Sequence, residues 1–151
     1  MDLENIIEEL KNILIADFGD SLKFYSDEQI IFSNVEENNI VCFDFDIDKN
    51  KKDLMIFLLP ENDNVSNLSI YDDEIESDLT IYLIHRNDTK EYLFKKTIRS
   101  VKSLTKLLKN NRTLNNKVGD LQINNAEYYH AVEGNENIKG AEIGITIKYE
   151  Q

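Results

Sequence analysis

From Ala141 to Glu150 apolar and polar side chains alternate without a break. Ala141, Ile143, Ile145, Ile147 and Tyr149 fall on one side; Glu142, Gly144, Thr146, Lys148 and Glu150 fall on the other. A period of two places one set on a single face of an extended strand, so this segment needs a core beneath it and a partner strand beside it. The expected partner is AEYYHAV (126–132), returned through EGNENIKG (133–140), where Gly134 and Gly140 supply turn freedom. Tyr128, Tyr129 and His130 are then half-exposed sheet residues. Cross-strand packing is their default role, with an aromatic ligand platform as the alternative.

The run LTIYLIH (79–85) is apolar on both faces, as a central strand requires. His85 closes it, and no nucleophile motif or second histidine stands nearby in sequence to form a triad, so a structural role is expected. A helix at 88–109 (DTKEYLFKKTIRSVKSLTKLLK) follows, with Asp88 as N-cap and Glu91 as its capping-box partner. Phe94, Ile98, Val101, Leu104 and Leu108 make its expected buried stripe, widened by Leu93 and Leu107. NNRTLNNKVGD (110–120) is a polar connector, and Leu121–Ile123 begins another strand.

Upstream, residues 2–16 form an amphipathic helix with Leu3, Ile6, Ile7, Leu10, Ile13 and Leu14 at helical spacing. Asp2 is its N-cap and Gly19 its stop. Short strands are expected at Leu22–Tyr25 and Gln29–Phe32, with a turn at EENN (36–39). In the next strand, IVCFDFDI (40–47), Phe43, Phe45 and Ile47 oppose Asp44, Asp46 and Asp48. Those carboxylates imitate the start of a calcium loop, but Lys49 stands where glycine is needed and Met55 where a bidentate Glu is needed. A solvated strand face is therefore the better reading. After the polar turn KNKKD (49–53), LMIFLL (54–59) reads as a strand covered on both faces and bounded by Pro60. ENDNVSNLSIYDDEIESD (61–78) reads as a long acidic loop, with a short element at Leu68–Tyr71. Its acids Asp72, Asp73, Glu74, Glu76 and Asp78 form a solvated charge run rather than a cation site. The expected fold is one α+β domain over residues 1–151: a mixed or antiparallel β-sheet packed by an N-terminal helix and one long central helix, closing with a C-terminal β-hairpin.

Charge is the most informative electrostatic feature. The net charge is −12, which argues against free nucleic acid as a specific partner. Between Asp88 and Lys117 there are nine Lys/Arg against two acids, a local +7 that leaves −19 for the remainder. Lys95, Lys96, Arg99, Lys102, Lys106 and Lys109 lie outside the helix's apolar stripe. They form either a solvated outer face or a docking face for an acidic partner, which in a homo-oligomer is the neighbouring copy. No run approaches the roughly 18 apolar residues that cross a bilayer, and MDLENIIEELK lacks the basic start of a signal peptide, so a cytoplasmic product is expected. Cys42 stands alone in an apolar run and reads as a buried free thiol. There is no Gly-rich phosphate loop, no His-x-x-x-His or Cys-x-x-Cys pair, and no context marking a hydrolase, so neither an enzyme nor a cofactor or metal site is expected.

The order of elements resembles the tail-terminator (tail-completion) proteins of long-tailed phages and related contractile tail-like particles. The resemblance is carried by DLENIIEELKNIL, by LTIYLIHRNDTKEYLFKKTIRSVKSLTKLL, and above all by YYHAVEGNENIKGAEIGITIKYE; residues 20–78 contribute nothing to it. It implies a structural protein: a homo-hexameric ring that caps the tail tube and contacts the tail-tube protein and a neck or head-completion protein. Such a protein works in the host cytoplasm during assembly and then within the particle. Lys95, Lys96, Arg99, Lys102 and Lys106 are the candidate inter-subunit interface. Two readings from other classes stand beside it. One is a small acidic binding or inhibitor (immunity-type) protein that engages a basic enzyme face. The other is a metal-using enzyme built on the acids of 72–78.

Overall fold

The structure, a computed structural model, describes residues 2–69 and 72–151. Its strands are β1 (Ile40–Cys42), β2 (Leu54–Asn67), β3 (Asp73–His85), β4 (Asp120–Tyr129) and β5 (Lys139–Glu150). They form one sheet in the order β1-β2-β3-β5-β4, with β1 parallel to β2 and every other pair antiparallel. The N-terminal helix α1 (Leu3–Ile13), the short α2 (Gly19–Lys23) and the long α3 (Lys90–Lys109) complete the α+β fold. Ile6, Leu10, Leu104 and Leu108 share one apolar cluster with Ile56, Ile81, Leu83 and Ile145, so α1 and α3 cover the same face of the sheet.

The last strand and the apolar strand at 79–85 form where expected. Ala141, Ile143, Ile145, Ile147 and Tyr149 are all buried, and β3 occupies the centre of the sheet. The closing hairpin is β4 with β5. β4 starts at Asp120, so Leu121–Ile123 belongs to the same strand as Ala126–Tyr129, joined across an irregularity between Ile123 and Asn125. The strand ends at Tyr129 rather than at 132.

Three expectations for the first half are corrected. Gly19 does not stop the first helix. The chain passes through a π turn at Leu14–Phe18 into α2, with Gly19 itself helical (φ −58°, ψ −45°). A Cβ at this position would sit 3.1 Å from the Val35 backbone nitrogen, so the glycine serves a close chain crossing. No strand forms at Leu22–Tyr25, where Leu22 is buried within α2, or at Gln29–Phe32, where the Asp27 carboxylate accepts from the Gln29 and Ile30 amides. The strand expected at 40–47 ends at Cys42, because Phe43 turns the chain with φ 66°. Asp44 and Asp46 then accept from the Phe45 and Asp48 amides in local turns instead of sharing a strand face. Phe45 and Ile47 fold onto the second face of the sheet against Met55, Phe57, Ile84, Val132 and Ile138.

The largest correction concerns residues 61–78. Pro60 does not bound a strand: β2 runs through it to Asn67 and pairs with β3 back to Asp73. The expected acidic loop is mostly a hairpin, with the Leu68 amide donating to the Asp72 carbonyl (2.9 Å). The element expected at Leu68–Tyr71 lies partly outside the described residues. Proline is tolerated because β1 covers β2 only at Ile56–Leu58, leaving Pro60 on a free edge.

Gly140 lies in β5 opposite Ile84 of β3. A Cβ there would stand 2.8 Å from the Leu83 carbonyl oxygen and 3.2 Å from methyls of Ile84 and Val132. Gly140→Ala should therefore destabilise the fold by about 1–3 kcal/mol, although alanine ordinarily favours regular structure over glycine. Urea unfolding checks this, and an unchanged midpoint would refute the close packing.

Candidate functional site

The basic helix carries the candidate residues, and the fold divides them. Thr89, not Asp88, caps α3: its hydroxyl accepts from the Tyr92 amide. Asp88 instead pairs with Lys96 at 2.9 Å, and the Lys96 side chain is only 14% exposed. That hydrogen bond, with a second from the Thr89 amide, holds the Asp88 carboxyl below its usual range. Glu91 pairs with Lys95 one turn on (3.1 Å). Arg99 reaches Asp27 (3.0 Å) and the Tyr25 carbonyl (2.8 Å), tying α3 to the loop after α2. The amides of Ile30 and Gln29, and then Arg99, hold the Asp27 carboxyl down. Lys95, Lys96 and Arg99 are thus neutralised within the chain. Lys102, Lys106 and Lys109 are exposed and, among the described residues, form no ion pair. The unpaired basic surface is the C-terminal half of α3.

The buried side of α3 is also turned relative to the expected stripe. Thr97, Ser100 and Ser103 are buried with Leu93, Val101, Leu104, Leu107 and Leu108, whereas Ile98 is 41% exposed and Phe94 half-buried. Phe94 stacks on His130 (4.7 Å between ring centres) and touches Tyr128 (6.0 Å). Those two residues of the β4 side therefore pack onto the helix rather than across strands.

Beside the end of α3 lies the outer edge of β4. A groove of about 370 Å³ is lined there by Lys109, Arg112, Leu121, Gln122 and Ile123. Arg112 crosses it to make a two-pronged contact with Asp120 (3.0 Å each). At the opposite edge of the sheet, every described residue of β2 from Pro60 to its end is exposed, including Glu61, Asp63 and Val65, the last at 59%. One flank of the molecule is basic, and the other presents an acidic strand.

The sheet face away from the helices carries a third feature. The pairing registers place Glu74, Glu76 and Asp78 of β3 on this face, level with Glu150, Lys148 and Thr146 of β5. Among the described residues Lys148 ion-pairs with Glu76 alone (3.3 Å). Nearer the base, Tyr82 and Tyr129 converge on Glu142. Burial, then the hydrogen bond to Glu142, pushes the Tyr82 hydroxyl up to about 12 and raises that of Tyr129 as well. These phenols stay protonated, and the Tyr129 hydroxyl also donates to the Glu127 carboxylate (3.4 Å).

Neither titratable group singled out by the sequence is poised for catalysis. His85 is buried, its Nε2 2.7 Å from the Ser100 hydroxyl, and burial with the nearby Lys96 charge pushes it down to about 3. It borders a 480 Å³ cavity with Phe32, Asn39 and Lys52, but remains neutral in its structural bond. Cys42 is half-buried, and burial pushes its thiol up, away from the reactive thiolate. Among the described residues no group of three His, Cys, Asp or Glu is placed to hold a metal ion, and no helix is long and apolar enough to cross a membrane. No protein-family model matches the chain, and a search of curated proteins finds no match either.

Sequence reasoning found the basic helix but missed the acidic strand opposite it. The available signal was Ile75, Ser77, Leu79, Ile81 and Leu83 at every second position, which carries the β3 pattern back into the supposed loop.

Proposed function

We propose that the protein is a non-enzymatic structural subunit that assembles with copies of itself into a closed ring and caps a tail tube, in the manner of tail-terminator proteins. The observation that carries this reading is the pairing of unlike flanks: unpaired Lys102, Lys106 and Lys109 on α3, with Lys109 lining the groove at one sheet edge, and an exposed acidic strand at the other. A ring joins one patch to a different patch on the next copy, so a subunit with two complementary flanks is suited to closing one. Such complementarity sets register and steers encounter more than it adds affinity. In this reading a six-copy ring contacts the tail-tube protein on one side and a neck or head-completion protein on the other. It forms in the host cytoplasm and stays in the finished particle. The acidic surface would let DNA pass without adhering.

Light scattering at low and moderate salt tests it. The expected result is a particle of six 17.6 kDa chains, formed alone or on addition of tail-tube protein, that loosens as salt rises. A strict monomer indifferent to tube protein overturns it. The open acidic face at Glu74, Glu76, Asp78 and Glu150 favours a second reading, a small acidic inhibitor of immunity type. That protein would remain a monomer or dimer and bind one basic partner tightly.

A further inference from the structure

The two free edges of the sheet are related by direction as well as charge. β2 pairs antiparallel with β3, β3 with β5 and β5 with β4, so β2 and β4 run in opposite senses. Beyond Leu58 the outer edge of β2 has no strand beside it among the described residues, and neither does the outer edge of β4. Two copies placed side by side with the same face and the same end upward therefore bring β2 of one against β4 of the other as an antiparallel pair. That is the orientation a rotational ring imposes.

Height and face agree too. Asp63 pairs with Ser77, Ser77 with Ile147 and Ile147 with Leu121, so Asp63 and Leu121 lie in one row across the sheet. Pro60 lies in the row of Ile123 by the same reckoning, through Leu79 and Ile145. Asp63, bonded by the Ser77 hydroxyl at 2.6 Å, faces the helix side, and Val65 shares that side opposite the buried Ile75. On β4 the helix side is the one carrying the groove beside Lys109 and Arg112. The β4 acids do not oppose the approach: Asp120 is held by Arg112, and Glu127 pairs in register with Glu142 on the far face.

We propose that the exposed half of β2 in one copy adds as a strand to the free edge of β4 in a second copy of this chain, with Asp63 meeting Lys106 and Lys109 and with Pro60 and Val65 covering the groove at Leu121 and Ile123. This rests on the ring reading only in taking the occupant to be another copy. Backbone bonding supplies the attraction, and the charges set the choice of edge. An acidic β2 edge repels another β2 edge, which keeps the contact head-to-tail.

Two charge-reversed variants test it by solution mass, each first shown to unfold cooperatively with the wild-type urea midpoint. Asp63→Lys/Val65→Lys makes the strand basic; Lys106→Glu/Lys109→Glu makes the groove acidic. Each alone should associate about a hundredfold more weakly or worse and run as a 17.6 kDa monomer. An equimolar mixture should regain the wild-type mass, because each strand then meets a groove of opposite sign. For the intact surface, Asn62→Cys/Gln122→Cys in a Cys42→Ser background should give a ladder of cross-linked multiples on oxidation, and neither cysteine alone should. Variants that assemble as wild type, or a mixture without rescue together with no ladder, overturn this interface while leaving a ring intact. Open chains of no fixed size with rescue on mixing support the interface and overturn the closed ring. A wild-type protein that stays monomeric at every concentration, with and without tail-tube protein, overturns both.

Discussion

Phe57→Ala should cost the fold about 3–5 kcal/mol, a large share of what a protein of this size has to lose. Phe57 is fully buried on the sheet face away from the helices, where no helix could fill the space it vacates. Its ring meets Phe45 at 4.7 Å, edge to face, and Phe45 in turn meets Tyr82 at 4.8 Å. These contacts pin residues 43–47 to the sheet, and they let Phe43 keep its positive φ. The neighbours Met55 and Ile84 sit in paired strands and cannot move in to close a cavity. Urea unfolding of Phe57→Ala against Val65→Ala measures the effect. The exposed Val65 change should stay within about 0.5 kcal/mol. A loss under about 1 kcal/mol at Phe57 would mean that the second face is not a packed core.

Mild acid should weaken the protein well above the carboxylate range. The His85 ring titrates at about 3 in the folded protein against an ordinary value of 6.5. The folded state then binds fewer protons than the unfolded one. The stability that follows is fully present above pH 6.5 and drains as pH falls toward 3, by up to about 1.4 kcal/mol per pH unit. Lys96 and Ser100 of α3 and the Phe32 ring face the imidazole, and no acid stands among these contacts to favour its charged form. The depressed carboxylates Asp27, Asp88 and Glu136 respond only at lower pH, so the window from 6.5 down to about 4.5 belongs to His85. Urea midpoints of the wild type should fall through that window. His85→Gln should start lower at pH 7.5, having lost the fit to Ser100, and show a flatter slope. A wild-type midpoint that is constant from pH 7.5 to 5 would exclude a dry, neutral His85.

How much of this was legible follows from where one face is buried and where none is. β5 announced itself because every second side chain enters the core. β3 did so between Leu79 and His85 because both faces are covered there. The exposed half of β2 could not: ENDNVSN buries no side chain on either face and is held by backbone bonds to β3 and by the Ser77 hydroxyl on Asp63. At 43–47 the reverse occurred, since a sound strand pattern was broken by the turn at Phe43, which stays exposed, while Phe45 and Ile47 pack onto the second face by a different route. For α3 the spacing was right but the phase was rotated. Ser100 and Ser103 face inward because they have partners, His85 and Ser21 (2.6 Å), that no periodicity reveals. The same holds for the candidate basic surface. That Arg99 is spent on Asp27 and the Tyr25 carbonyl is a tertiary fact, and it moves the unpaired charge to Lys102, Lys106 and Lys109.

The sheet order also fixes when the molecule can form. β5 follows β4 in sequence yet lies between β4 and β3, and among the described residues β4 pairs with no other strand. As the chain leaves the ribosome, β4 emerges with nothing to bond to and must wait. β3 meanwhile shows one unsatisfied side, and the apolar faces of Ile81 and Leu83 lie half-roofed. Only when Lys139–Glu150 clears the exit tunnel can a single insertion satisfy both neighbours at once. Completion therefore waits for the last dozen or so residues of the sheet, and any nascent chain stalled before them is a candidate for chaperone capture.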